Sequence, residues 1–181
     1  MAKKEKQEAK IQEITDKKVW EEFNLSLTNP SYFQSWIWGN IQKKVGIPVK
    51  RFGFLKNDKL LLILQIFEIK AKRGHYLHIR QGPVFTDIGK GETLELIRFL
   101  KEYALDRKAS FIRISPLLKY DSRIAKCLKE NGFKNSPIHN VDGENSWILR
   151  LDKGLDEIMK NMRKTTRYMV RRGDSMGIKI V

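Results

Sequence analysis

The spacing of apolar residues changes period along the chain, and each change marks an element. Ile14, Val19, Trp20, Phe23 and Leu27 recur at helical intervals up to Asn29-Pro30, a natural stop. Ser35 is placed to cap a second helix, Trp36 to Val45, which ends before Gly46 and Pro48. From Val49 the pattern turns to strands. Val49 to Leu55, Leu60 to Lys70 and His75 to Arg80 are rich in Ile, Leu, Val and aromatic residues, with Asn57-Asp58 and Arg73-Gly74 as turns. These runs predict a three-stranded antiparallel meander. After the break at Gly82-Pro83, Leu94, Ile97, Leu100, Tyr103 and Ala104 form the stripe of a helix over Glu92 to Arg107. A buried strand is expected at Ser110 to Ser115 and a helix at Ser122 to Asn131 with Gly132 as its stop. Further strands are expected from Phe133 and over Trp147 to Leu151.

Helix, three strands, helix, strand, helix and strand in that order describe an α/β fold, a mixed and mostly antiparallel sheet flanked by helices. Residues 1–12 read as a charged N-terminal tail and 13–153 as one lobe. Leu155 to Arg172 reads as one further helix. Leu155, Ile158, Met159, Met162 and Met169 fall on one side of it, and Lys160, Arg163, Lys164, Arg167 and Arg171 on the other, with no acid among them. Ile178 to Val181 then begins a strand that has no partner of its own. Residues 154–181 are therefore expected to open a second lobe, most of which is missing.

Charge narrows the partners. Lys and Arg number 36 against 21 Asp and Glu, a formal +15, which favours capture of polyanions: RNA, phosphorylated precursors or anionic lipid head groups. The single cysteine, Cys127, excludes an internal disulfide and a cysteine-based metal site. The N-terminus MAKKEKQEAK lacks the apolar stretch of a signal peptide, and the apolar run Leu60 to Phe67 is too short to cross a bilayer. The expected compartment is a reduced cytoplasm, with peripheral contact at the inner membrane face.

Few motifs carry chemistry by themselves. His75 and His78 read as part of a sheet surface, since a metal site needs a further ligand and none lies near in sequence. Neither GxxxxGK[ST] nor GxGxxG occurs. The turn [RQ]xxGx[GA], with which acetyl-CoA-dependent N-acyltransferases hold the pyrophosphate, is also missing, although the order of elements suits an N-acyltransferase. No cofactor is expected. The acid-free basic face around Arg163, Arg167 and Arg171 is the strongest local signal. Its cations repel one another unless an anion or acidic neighbour sits opposite, and the arginine fork binds phosphate oxygens in pairs. Tyr32, Phe33, Trp36 and Trp38 offer rings for stacking on nucleotides or sugars, although core packing accounts for them equally well. Two tryptophans at i and i+2 cannot both face the core from one helix.

Four stretches together resemble the Fem-type peptidoglycan bridge-forming aminoacyltransferases: FQSWIWGNIQKK (Phe33 to Lys44), IRQGPVFTD (Ile79 to Asp87), PIHNVDGENSWILRL (Pro137 to Leu151) and MRKTTRYMVRRGDSMGIKI (Met162 to Ile180). The family pattern covers roughly twice this length in two N-acyltransferase-like (GNAT-like) lobes. By that comparison the chain is a first lobe with the opening of a second.

The resemblance implies transfer of an amino acid from aminoacyl-tRNA to the stem-peptide amine of a UDP- or lipid-linked muropeptide precursor. By position, Lys43 and Lys44 help hold the precursor; the family's usual lysine place is Gln42 here. Asp87 closes the GPVxxD segment and binds the precursor's sugar or peptide. Arg167, with Arg163 and Arg171 a turn away on each side, meets the diphosphate, and Tyr168 stands where many relatives have Tyr. His139-Asn140 and Trp147 match the family's HN…W stretch, with Trp147 read as core. The lysine expected to aid catalysis falls in the missing half. Two alternatives accompany this reading: an acyl-CoA-dependent or other GNAT-like N-acyltransferase, and a non-enzymatic basic module that binds RNA.

Overall fold

The computed structural model describes residues 10–72, 74–117, 122–137 and 149–178. The chain divides into two compact units, residues 1–142 and 143–181, where the sequence puts the change at 153/154.

The first unit is built on a six-stranded sheet. Its chain order is β1 (Lys10–Glu13), α1 (Lys17–Ser26), a 3-10 turn (Tyr32–Gln34), α2 (Trp36–Lys44), β2 (Val49–Lys56), β3 (Lys59–Ala71), β4 (Gly74–Ile79), β5 (Val84–Phe85), α3 (Lys90–Asp106), β6 (Phe111–Ile114) and α4 (Arg123–Glu130). The strands lie in the order β1-β2-β3-β4-β6, with β5 pairing further along β3. All pairings are antiparallel except β4 with β6, which the intervening helix α3 makes parallel. The meander is present as the pattern predicts. Asn57 and Asp58 both take positive φ, 50° and 58°, as a two-residue hairpin turn requires.

Alternation along β2 and β3 sends side chains to two cores. On one face Phe54, Leu62, Leu64, Ile66, Leu77 and Ile79 pack against Leu96, Leu100 and Ala104 of α3. On the other, Ile14, Ile63 and Val84 pack against Trp20 of α1. Cys127 and Leu128 of α4 close over Ile97.

Several expectations fail. Lys10 to Gln12, read as tail, form part of edge strand β1 against β2; three of its four residues are exposed, so it leaves little apolar signature. Residues 133–136 form no strand, and neither do residues 149–151; Trp147 and Ile148 lie outside the described residues.

In the second unit the single helix expected from Leu155 to Arg172 is two, α5 (Leu155–Asn161) and α6 (Lys164–Ser175). Met162 (ψ 154°) and Arg163 (ψ 147°) are extended between them. Ile178 is not in a strand, and residues 179–181 lie outside the described residues. No helix among the described residues is long and apolar enough to cross a membrane.

Candidate functional site

The segment Phe33 to Asn40 seats α2 on the sheet through a buried polar network. Ser35 caps α2, its Oγ accepting from Trp38 N at 3.2 Å. Just before it, Gln34 is fully buried and reaches into the sheet. Its Oε1 accepts from Gln65 N (2.7 Å) and its Nε2 donates to Arg80 O (2.7 Å). The β3–β4 ladder runs out at the pair Phe67–His78, so this amide stands in for the next rung, between Gln65 and Arg80.

Beside it lies Arg51, 4% exposed. Its Nε donates to Gln65 Oε1 (2.7 Å) and its Nη2 to Trp36 O (2.9 Å) and Asn40 Oδ1 (3.2 Å). The guanidinium lies 3.7 Å from the Trp36 ring centroid. Burial pushes its pKa down to about 10, with Glu21 acting in the opposite direction. Gly39 is required here, because a Cβ would stand 2.0 Å from Gln65 Oε1 and 2.4 Å from Arg51 Nη2.

The two tryptophans of α2 separate as the spacing demands. Trp36 turns inward to Arg51 and Trp20. Trp38 turns to Tyr32 and Phe33, with ring centroids 5.6 and 5.0 Å away. Arg80 lies 3.7 Å over Phe33. Lys43 and Lys44 are exposed in the last turn of α2, where a cation also suits the helix dipole.

The GPV segment follows. Gly82-Pro83 is a cis peptide, and a Cβ on Gly82 would meet the Gln34 amide at 2.5 Å. A groove of about 360 Å³ runs past Leu27, Asn29, Pro83, Val84, Thr86 and Leu117. Asp87 is exposed and does not line it.

At the N-terminus of α3 the chain supplies its own anion. Glu92 Oε2 accepts from Gly89 N at 3.1 Å, and Lys56 Nζ donates to Glu92 Oε1 at 2.5 Å. The hydrogen bond from Lys56 leads the causes that hold the Glu92 carboxyl below its usual range.

The second unit places Arg163, Arg167, Tyr168 and Arg171 differently from one continuous basic face. Arg163 is the N-cap of α6 and offers no side-chain cap. Lys160 belongs to α5. Arg167 turns back, its Nη1 donating to Lys160 O (2.6 Å) and Met162 O (2.7 Å). It thereby caps the carbonyl end of α5 and holds the elbow between the helices. Tyr168 and Arg171 are exposed. Across Lys164 to Arg172 no acid opposes the cations.

Other candidates carry less. His75 and His78, three apart, fall on opposite faces of β4, His75 with its Nε2 3.9 Å from Glu68 and His78 beside Tyr76. Among the described residues no three His, Cys, Asp or Glu side chains gather as metal ligands would. Gly173 to Gly177 spells the GxSxG of a nucleophile elbow. It sits at the end of a helix rather than on a strand-to-helix turn, and Ser175 Oγ donates to Arg172 O at 2.8 Å. The stretch holding His139, Asn140 and Trp147 lies outside the described residues.

Among solved structures the chain is similar to a crystal structure of FemX, with a TM-score of 0.71 and 23% identity over 90% of this chain and 42% of that one. It thus spans less than half of the FemX chain. An aminoglycoside acetyltransferase from an uncultured soil metagenomic sample aligns at TM-score 0.52 and 14% identity, covering 74% of this chain and 96% of its own. A transcriptional regulator from Bacillus halodurans C-125 aligns at 0.52 and 14%, covering 71% and 95%. These likenesses show a GNAT-like fold, a mixed sheet flanked by helices, as the order of elements predicts. No curated protein matches the sequence. The FemAB family pattern runs over residues 15–181, through the α2 network, the GPV segment and the cations of α6 alike, and the chain belongs to the FemAB family.

Proposed function

We propose that this chain is part of an aminoacyltransferase of peptidoglycan synthesis that moves an amino acid from aminoacyl-tRNA to the stem-peptide amine of a UDP- or lipid-linked precursor. The observation that carries the reading is the family match over residues 15–181. In this reaction the precursor's amine attacks the ester carbonyl. A C–N bond forms, the bond to the tRNA 3′-terminal oxygen breaks, and the amine's proton leaves for a base. The ester is already activated, so orientation, a proton acceptor and donors to the oxyanion suffice.

Both substrates are polyanions, in keeping with a chain of +15. For the diphosphate the reading assigns Arg163, at the N-cap of α6, and Arg171 within it, both exposed and neither in an ion pair among the described residues, while Tyr168 flanks them. Arg167 acts on them through the elbow it holds. Lys43 and Lys44 lie at the free end of α2 and Asp87 at the end of the GPV segment, open to the sugar or peptide of the precursor. A lipid-linked precursor would also bring the chain to the inner membrane face. The rival reading with acyl-CoA is disfavoured by Glu92, whose carboxylate occupies the N-terminus of α3 and repels a pyrophosphate there.

The test is calorimetric titration with UDP-linked muramyl-pentapeptide at low and moderate salt, with UDP and acetyl-CoA as controls. Peptide-dependent binding that weakens with salt is the expected result. Binding of acetyl-CoA alone would replace this reading with the rival one.

A further inference from the structure

Helices α1 and α2 lie side by side on one face of the sheet, and their outer faces differ. The outer face of α1 is mixed: the Lys18–Glu22 pair at 3.9 Å stands beside exposed Val19 and Leu25. That of α2 is apolar: Ile37, Ile41 and Val45 succeed one another at helical spacing and stand 59%, 39% and 68% exposed. Tyr32, 57% exposed, borders the stripe through its contact with Trp38. Lys44 lies on the same side of the helix as Ile37 and Ile41, and Lys43 flanks it. Neither lysine has an ion pair among the described residues, whereas Lys50 is bound to Glu13 and Lys56 to Glu92.

Charge selects the occupant. No Asp or Glu occurs between Glu22 and Asp58, so the stripe is set in an acid-free stretch whose free charges are positive. Aliphatic side chains flanked by lysine and interfacial aromatics match the boundary of an anionic bilayer, where the apolar groups sink below the head groups and the ammonium groups stay among them. A nucleic acid would use the charge but gain nothing from exposed isoleucine, since bases stack on rings. We infer that the outer face of α2, Ile37, Ile41 and Val45 with Lys43 and Lys44, docks this protein on an anionic membrane surface. The inference deepens the membrane-face part of the proposed function and rests on it; vesicle binding is read without either substrate, so its failure leaves the transfer reaction untouched.

The experiment is flotation of the full chain with vesicles of equal parts phosphatidylglycerol and phosphatidylcholine, and with phosphatidylcholine alone. The wild type should float with the mixed vesicles at low salt and stay behind with the neutral ones. Replacing Ile37, Ile41 and Val45 together with Gln should weaken binding by about tenfold or more, since two buried methylenes already account for that much. These side chains are exposed, so the thermal midpoint should not move; circular dichroism checks it. Lys43→Gln with Lys44→Gln should flatten the salt dependence. Binding by the triple variant equal to wild type would overturn the inference and leave α6 as the contact. So would a wild type indifferent to anionic lipid, or self-association that the same three substitutions abolish.

Discussion

Arg51 and Arg171 carry the same group and stand in opposite circumstances. The Arg51 guanidinium is held from within the fold, Nε by Gln65 and Nη2 by Trp36 and Asn40, and it lies over the Trp36 ring. Arg171 is exposed, and no ion pair or hydrogen bond holds its guanidinium among the described residues, although Asp174 follows three places on in the same helix. Arg167 lies between the two cases, exposed in part yet tied to the carbonyls that end α5. The difference separates residues that hold the molecule together from those left available for something else. It reassigns much of the aromatic motif of α2 to the first class.

The largest effect should come from Arg51→Ala. It leaves the Gln65 and Asn40 oxygens without their donor and removes the plate on Trp36, so urea denaturation should show a loss of about 3 kcal/mol or more. Gly39→Ala strikes the same network from the other side; overpacking against Gln65 and Arg51 should cost about 2–3 kcal/mol. Arg167→Ala should cost about 1–2 kcal/mol, felt as lost helical dichroism because α5 loses its carbonyl cap. A smaller term separates Lys56–Glu92 from both classes. The Glu92 carboxyl is held low in the folded state, so its contribution is present above the unfolded value of about 4.3 and is lost as pH falls through the folded one. The melting temperature of the wild type should therefore fall more steeply than that of Glu92→Gln as the solution is acidified below that value. Least of all in stability, Arg163→Ala with Arg171→Ala should change the urea midpoint by no more than about 0.5 kcal/mol while lowering affinity for UDP-linked muropeptide and its salt slope. A stability loss on the scale of Arg51→Ala would move both arginines into the structural class.

What the sequence makes legible here is local. Asn57-Asp58 announces its hairpin because both residues tolerate positive φ, and Ser35 announces α2 because its hydroxyl caps the turn just after it. The break at Met162-Arg163 is invisible to the same reading. Neither glycine nor proline marks it, and it is held by the side chain of Arg167 from the helix beyond. β1 hides for another reason: an edge strand with one apolar residue has no period to detect. Of the candidate site, the cations of α6 were plain from the missing acids. That Trp36 turns to Arg51 and Trp38 to Tyr32, Phe33 and Arg80 depended on partners distant in sequence, Arg51 on β2 and Arg80 just past the end of β4.

Gln34 gives one amide proton an unusual meaning. The N–H of Gln65 is bonded to a side chain from another layer instead of to a neighbouring strand. Its exchange with solvent deuterium therefore follows undocking of the α1–α2 layer, while the adjoining amides of β3 follow opening of the sheet. Comparing the two sets would time the loosening of one layer against the other within a single molecule.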